Sequence, residues 1–209
     1  WLIRVESPQA NFESVAAVAA RSLPGEIAVL GEFSNNGPTA EINGVPFLEA
    51  TAPSQRGVFV GVFAGANPNA PVLTDQPNLV LGRTLSTNGR ANAIAYLPNG
   101  DLIVGFESTV VREEGHVMRL EAGSLNTVWD LKLASTSAGV GYDINAIAAA
   151  TDGGVFALGT FVPGGSTQTA IVGSTTYNSQ TTTAFATRLN PADGGPTHAI
   201  FINGPNEQT

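Results

Sequence analysis

A chain of 209 residues that is 43% hydrophobic and 12% charged carries enough apolar content for one substantial core or two small ones. Lys and Arg total 9 against 17 Asp and Glu, a formal net charge of -8, which argues against a nucleic-acid binder, since phosphates are held by clustered basic side chains. The absence of cysteine removes disulfide frameworks, thiolate metal sites and cysteine nucleophiles.

Every apolar run is broken well short of the roughly 20 residues that a membrane-spanning helix needs, so no membrane insertion is expected. The chain begins at Trp1 with no basic-then-apolar leader, so a signal peptide, if one existed, is expected to have been removed or to lie outside it. One lysine, Lys132, and abundant Gly, Ala, Ser, Thr and Asn suit an exported bacterial protein, extracellular or at the cell surface. No asparagine stands in the N-x-[ST] frame that marks a glycosylated ectodomain.

In chain order, Trp1–Val5 alternates apolar and basic residues and reads as the outer strand of a preceding unit. Residues 12–21 are alanine-rich enough to rival a helix, but they fit a recurring strand pattern better. That pattern is a small-residue strand, a Pro-Gly, Pro-Asn-Gly or Asp-Gly-Gly turn, and a strand of Ile, Val, Leu and Phe. It occurs at 17–33, 92–106 and 145–161. A third apolar strand follows each hairpin, at 57–63, 115–120 and 184–189, and a fourth follows at 78–85, 127–133 and 197–202. Three serial four-stranded antiparallel units are how β-propeller blades look in sequence, here at about 12–86, 91–133 and 144–204. The expected fold is therefore all-β, three blades plus the last strand of another at 1–5. Because a closed propeller uses roughly four to eight blades, the ring is expected to be completed by further sequence or by a second copy.

The first and third units carry an insertion between their second and third strands, and 40–47 matches 170–177 position for position. This order, ending in Ala184-Phe185-Ala186-Thr187-Arg188-Leu189, resembles the SBBP-type β-propeller repeat of bacterial surface and secreted proteins. The resemblance is fullest over 144–204, lacks the insertion over 91–133, and has a longer last connection over 12–86. It implies a propeller of extracellular bacterial origin and brings no catalytic residue with it.

Residues that carry chemistry are sparse. His116 and His198 stand outside any H-x-x-x-H or H-E-x-x-H frame and are expected to be surface or packed strand residues, not metal ligands. Glu113-Glu114, beside Arg112, reads as a solvated turn, and Asp75, Asp143 and Asp193 read as turn formers next to Gly, Pro or Asn. Gly164-Gly165 lacks the Lys-Ser/Thr of a phosphate loop. Gly31, Gly105 and Gly159 are read as occupying one equivalent position in each second strand, where sheets crowd, with Phe33, Phe106 and Phe161 filling the space between units. Phe47 and Tyr177, at the ends of the insertions, are the candidates for exposed contact residues.

No catalytic residue, metal or cofactor is assigned. The expected role is a non-enzymatic structural or binding module with a protein or surface glycan as partner, and with self-association through exposed strand edges as a further route. The alternative is a fragment of a propeller enzyme, a lyase, lactonase or glycosidase, with its site in the central channel. Such an enzyme needs polar side chains on the innermost strands, and residues 17–20, 93–96 and 146–149 carry mostly Ala and Ile.

Overall fold

The computed structural model describes residues 5–6, 10–21, 25–35, 39–42, 45–49, 55–64, 78–109, 114–134, 140–164 and 166–202. Among them the chain forms β1 (Val5–Glu6), β2 (Ala10–Arg21), β3 (Glu26–Asn35), β4 (Thr39–Ile42), β5 (Val45–Glu49), β6 (Gly57–Ala64) and β7 (Asn78–Ser86). Next come β8 (Gly89–Tyr96), β9 (Leu102–Ser108), β10 (Glu114–Leu120) and β11 (Thr127–Leu133). Last are β12 (Gly141–Ala149), β13 (Val155–Val162), β14 (Gln168–Val172), β15 (Thr175–Ser179), β16 (Thr183–Leu189) and β17 (Pro196–Ile202). The fold is all-β, and the alanine-rich segment 12–21 is strand, paired along β3 from Ala10 to Arg21.

Three four-stranded antiparallel sheets follow in series, ordered β2-β3-β6-β7, β8-β9-β10-β11 and β12-β13-β16-β17. Each is a meander whose first turn uses a glycine at positive φ, namely Gly25, Gly100 and Gly153. Two short sheets are added. β4 pairs with β1 on one side and with β5 on the other, and β14 pairs with β15. Of the segment 1–5, residues 1–4 lie outside the described residues, and Val5 with Glu6 pairs with β4.

Each first strand carries an extra residue opposite its second strand at an equivalent place, Ala16, Asn92 and Asn145, and β2 has a further one at Asn11. The residue that follows each bulge faces Leu30, Gly105 and Leu158 respectively, and the residue before it faces Gly31, Phe106 and Gly159. Gly105 is thus one residue out of step with Gly31 and Gly159, and the expectation of a common glycine position is corrected. The turns and bulges of the second and third sheets match in position, so the difference is one of residue type: Phe106 stands where the sister sheets have glycine, and Gly105 lies on the opposite face.

Neighbouring sheets pack through the first strand of the later one. β8 lies against β2, β3 and β6, and β12 lies against β8, β9 and β10. Between the first two sheets the core holds Leu30, Val58, Val60, Val104, Phe106, Met118 and Leu120. Between the second and third it holds Ile103, Val117, Trp129, Tyr142, Ile144, Phe161 and Phe185. The other face of the first sheet buries Phe33, Phe59 and Phe63. Phe33, Phe106 and Phe161 are all buried, as a space-filling role requires, and each large side chain so buried contributes about 1.5–3 kcal/mol.

Polar contacts tie the sheets in the same order. The Ala91 N–H donates to Glu32 Oε1 at 3.0 Å, and Arg83 Nη1 donates to the Leu125 carbonyl at 2.6 Å, both from the first sheet to the second. Between the second and third, Trp129 Nε1 donates to the Pro191 carbonyl at 3.0 Å, and Arg119 donates to the same oxygen.

Candidate functional site

The inserted hairpins decide where the molecule is open. β14 and β15 place Ala170 and Val172 in the core beside the outer strands of the third sheet, and the Ile171 N–H donates to the Tyr142 hydroxyl at 2.8 Å. Tyr177 is half-buried and stacks on Phe201 with centroids 5.1 Å apart, so it caps the hairpin and is not a free contact residue. β5 lies against β7 in the corresponding place in the first sheet. Phe47 lies on β5 with its side chain outside the described residues.

Among the described residues the second sheet has no such hairpin. Where one would lie, a groove of about 420 Å³ opens between the end of β7 and the outer strands β10 and β11. Alternation places Phe106 and Ser108 of β9, Glu114, His116 and Met118 of β10, and Asp130 and Lys132 of β11 on one face. Thr84, Ser86 and Thr87 supply the opposite wall.

At the floor is His116, buried at 6% exposure. Its ring stacks on Phe106 with centroids 4.7 Å apart and planes 7° apart. The stack follows from the register: His116 pairs with Phe106, as Phe59 pairs with Gly31 and Phe185 with Gly159. In the outer sheets a phenyl ring covers a glycine, and in the middle sheet two rings lie face to face.

His116 Nδ1 lies 3.0 Å from Asp130 Oδ1. An ionised carboxylate only accepts, so Nδ1 carries the hydrogen and donates it; in the neutral ring the lone pair then lies on Nε2. Nε2 is buried with no hydrogen-bond partner, and the nearest carboxylate oxygen is Glu114 Oε2 at 3.7 Å. Lys132 Nζ sits at the rim, 3.9 Å from Asp130 Oδ2. Ser86 Oγ and Ser108 Oγ are 3.3 Å apart across the two sheets.

The sequence expectations divide here. His116 is a packed strand residue, as read, and His198 is exposed on β17. Glu114 is not in a solvated turn but opens β10 and turns inward, while Arg112 and Glu113 lie outside the described residues. Asp143 is not a turn former: it lies within β12 and accepts a hydrogen bond from Thr160 Oγ1 at 3.5 Å. Asp193 does form a turn, accepting the Gly195 N–H at 2.9 Å. Asp75 and Gly165 lie outside the described residues. Asp130 went unnoticed because it lies 14 residues from His116 in sequence, and only strand pairing brings the two together. Among the described residues no three His, Cys, Asp or Glu side chains are arranged to hold a metal ion.

No family model matches the chain, and no curated protein matches it in sequence.

Proposed function

We propose that the three sheets are consecutive blades of a β-propeller of the SBBP type, forming a non-enzymatic binding or structural module of a bacterial extracellular or cell-surface protein. The observation that carries this reading is the packing of each later first strand across the face of the sheet before it, with β8 against β2 and β12 against β8, as the inner strands of successive blades would pack. Ala17, Ala19, Ala93 and Ala149 on these strands keep the approach close, and among the described side chains of β2, residues 14–21, the exposed ones are Val15, Ala16, Val18 and Ala20, not acids or imidazoles.

The position after each bulge supports continuation of the ring. Leu30 is 0% exposed under the second sheet, Gly105 is buried under Ile144 and Ile147 of the third, and Leu158 is 45% exposed. A further sheet of the same kind, from a longer chain or from a second copy, is the occupant this face fits. Low lysine and absent cysteine support export. Class averages by electron microscopy test the architecture: a ring of sheets around an axis is expected, and a linear stack overturns it. Turnover of glycoside, lactone or polyuronate substrates that is lost on substitution of first-strand residues overturns the non-enzymatic part.

A further inference from the structure

We propose that the groove over His116 is a binding site for a primary ammonium group, presented by a small alkylamine or by a lysine side chain. This goes beyond the propeller reading and does not depend on it, because both walls of the groove belong to sheets already in contact.

The groove floor presents acceptors that lack a donor. With Nδ1–H committed to Asp130, Nε2 of the neutral ring is an acceptor without a donor, lying just beneath the groove surface. Glu114 Oε2, 3.7 Å away, has no cation other than His116 among the described residues. Two acceptors at that separation are spaced for a single –NH₃⁺ donating to both at about 2.8–3.0 Å. Asp130 adds a second carboxylate behind the ring. Lys132 does not fill the role, because its Nζ is drawn to Asp130 at the rim and its side chain is 59% exposed. The facing wall from β7 supplies Thr84, Ser86 and Thr87 and no charged group to compete. A neutral sugar fits less well: its usual aromatic platform is missing, since Phe106 is 1% exposed beneath the imidazole. The net charge of -8 favours approach of a cation.

The test is a titration followed by the His116 side-chain ¹⁵N signals in NMR, with n-butylamine in one arm and an N-acetylated lysine peptide in the other. Norleucine amide acetylated at its amino end serves as the uncharged control. Saturable movement of the Nε2 signal is expected, and the tighter arm identifies the source of the ammonium group. His116→Phe keeps the ring stack, as phenyl rings occupy this register in the sister sheets, so its melting temperature should stay close to wild type while binding, followed by backbone amide shifts around the groove, is lost. Glu114→Gln should weaken binding roughly 10- to 100-fold, the loss of one charge-assisted hydrogen bond. The proposal is overturned if neither amine moves the Nε2 signal saturably, if His116→Phe binds as well as wild type, if the uncharged control binds equally, or if Zn²⁺ alone binds and the amines do not.

Discussion

A Cβ at Gly159 would meet Phe185 Cζ at 2.5 Å and also the Asp143 carbonyl oxygen, a backbone atom that cannot step aside. A Cβ at Gly31 would meet Phe59 at 2.7 Å and the Ser14 carbonyl oxygen. A Cβ at Gly105 would meet only side-chain atoms among its three nearest neighbours, Ile144 Cγ2 and Ile147 Cδ1 at 2.7 Å and Ile147 Cγ1 at 3.3 Å, which belong to the next sheet. Gly159→Ala should therefore cost about 2–3 kcal/mol and Gly105→Ala about 1 kcal/mol or less, because overpacking is relieved more readily by side chains than by backbone. Urea unfolding midpoints at constant m-value measure both, and a larger loss for Gly105→Ala would refute the assignment of the two glycines to opposite faces. In the linear sequence these glycines look alike, since each follows aliphatic residues in a second strand. Only the turn, the bulge and the face together separate them. The pairing of His116 with Asp130 was illegible for the same reason, because Asp130 lies on the adjoining strand, paired with Met118.

Elements were far more legible than sites. The expected third and fourth strands differ from β6, β7, β10, β11, β16 and β17 by one residue at an end or not at all, because alternation and turn chemistry are local properties. The inserted hairpins align as read: Ile42 pairs with Val45 and Val172 with Thr175, leaving two-residue loops at matching places. What holds elements to each other is less visible in sequence, and Asp101 is the clearest case. It is 6% exposed just after the β8–β9 turn, accepts the Ala122 N–H at 2.9 Å, and pairs with Arg119 Nη2 at 2.6 Å. Burial alone would push its carboxyl up, but the Ala122, Arg119 and Asn99 hydrogen bonds outweigh that and hold it below its ordinary value of 3.8. A carboxyl whose folded pKa is depressed contributes stability that is present above the unfolded value and lost as pH falls through the lower folded value. Asp101→Asn should therefore lower stability at neutral pH and flatten its decline below about pH 4. Thermal melts from pH 7 to 2.5 measure this, and parallel pH profiles for the two proteins would sink the assignment. Arg119→Met should cost about 3 kcal/mol or more, since it leaves the carboxylate buried without its cation.

At the scale of the whole molecule, the second and third sheets each cover the sheet before them, and among the described residues nothing covers the outward face of the third. Phe156, Leu158, Ile200 and Ile202 are 42%, 45%, 51% and 50% exposed, and cross-strand pairing sets Leu158, Ala186 and Ile200 side by side across β13, β16 and β17. Closure was beyond the reach of sequence periodicity, since a repeat specifies how one unit meets the next but not how many units there are. The exposed face makes the question measurable. Leu158 and Ile200 have no neighbouring sheet over them, so Leu158→Glu with Ile200→Glu should change the stability of the isolated chain by no more than about 1 kcal/mol, as surface substitutions do. The same pair should abolish any association that uses this face, because two carboxylates would be buried without partners. Light scattering over a concentration series separates the cases. Wild-type chain that self-associates while the double variant stays monomeric places the contact on this face. Equal association of both moves it to a strand edge, where backbone pairing is indifferent to these side chains.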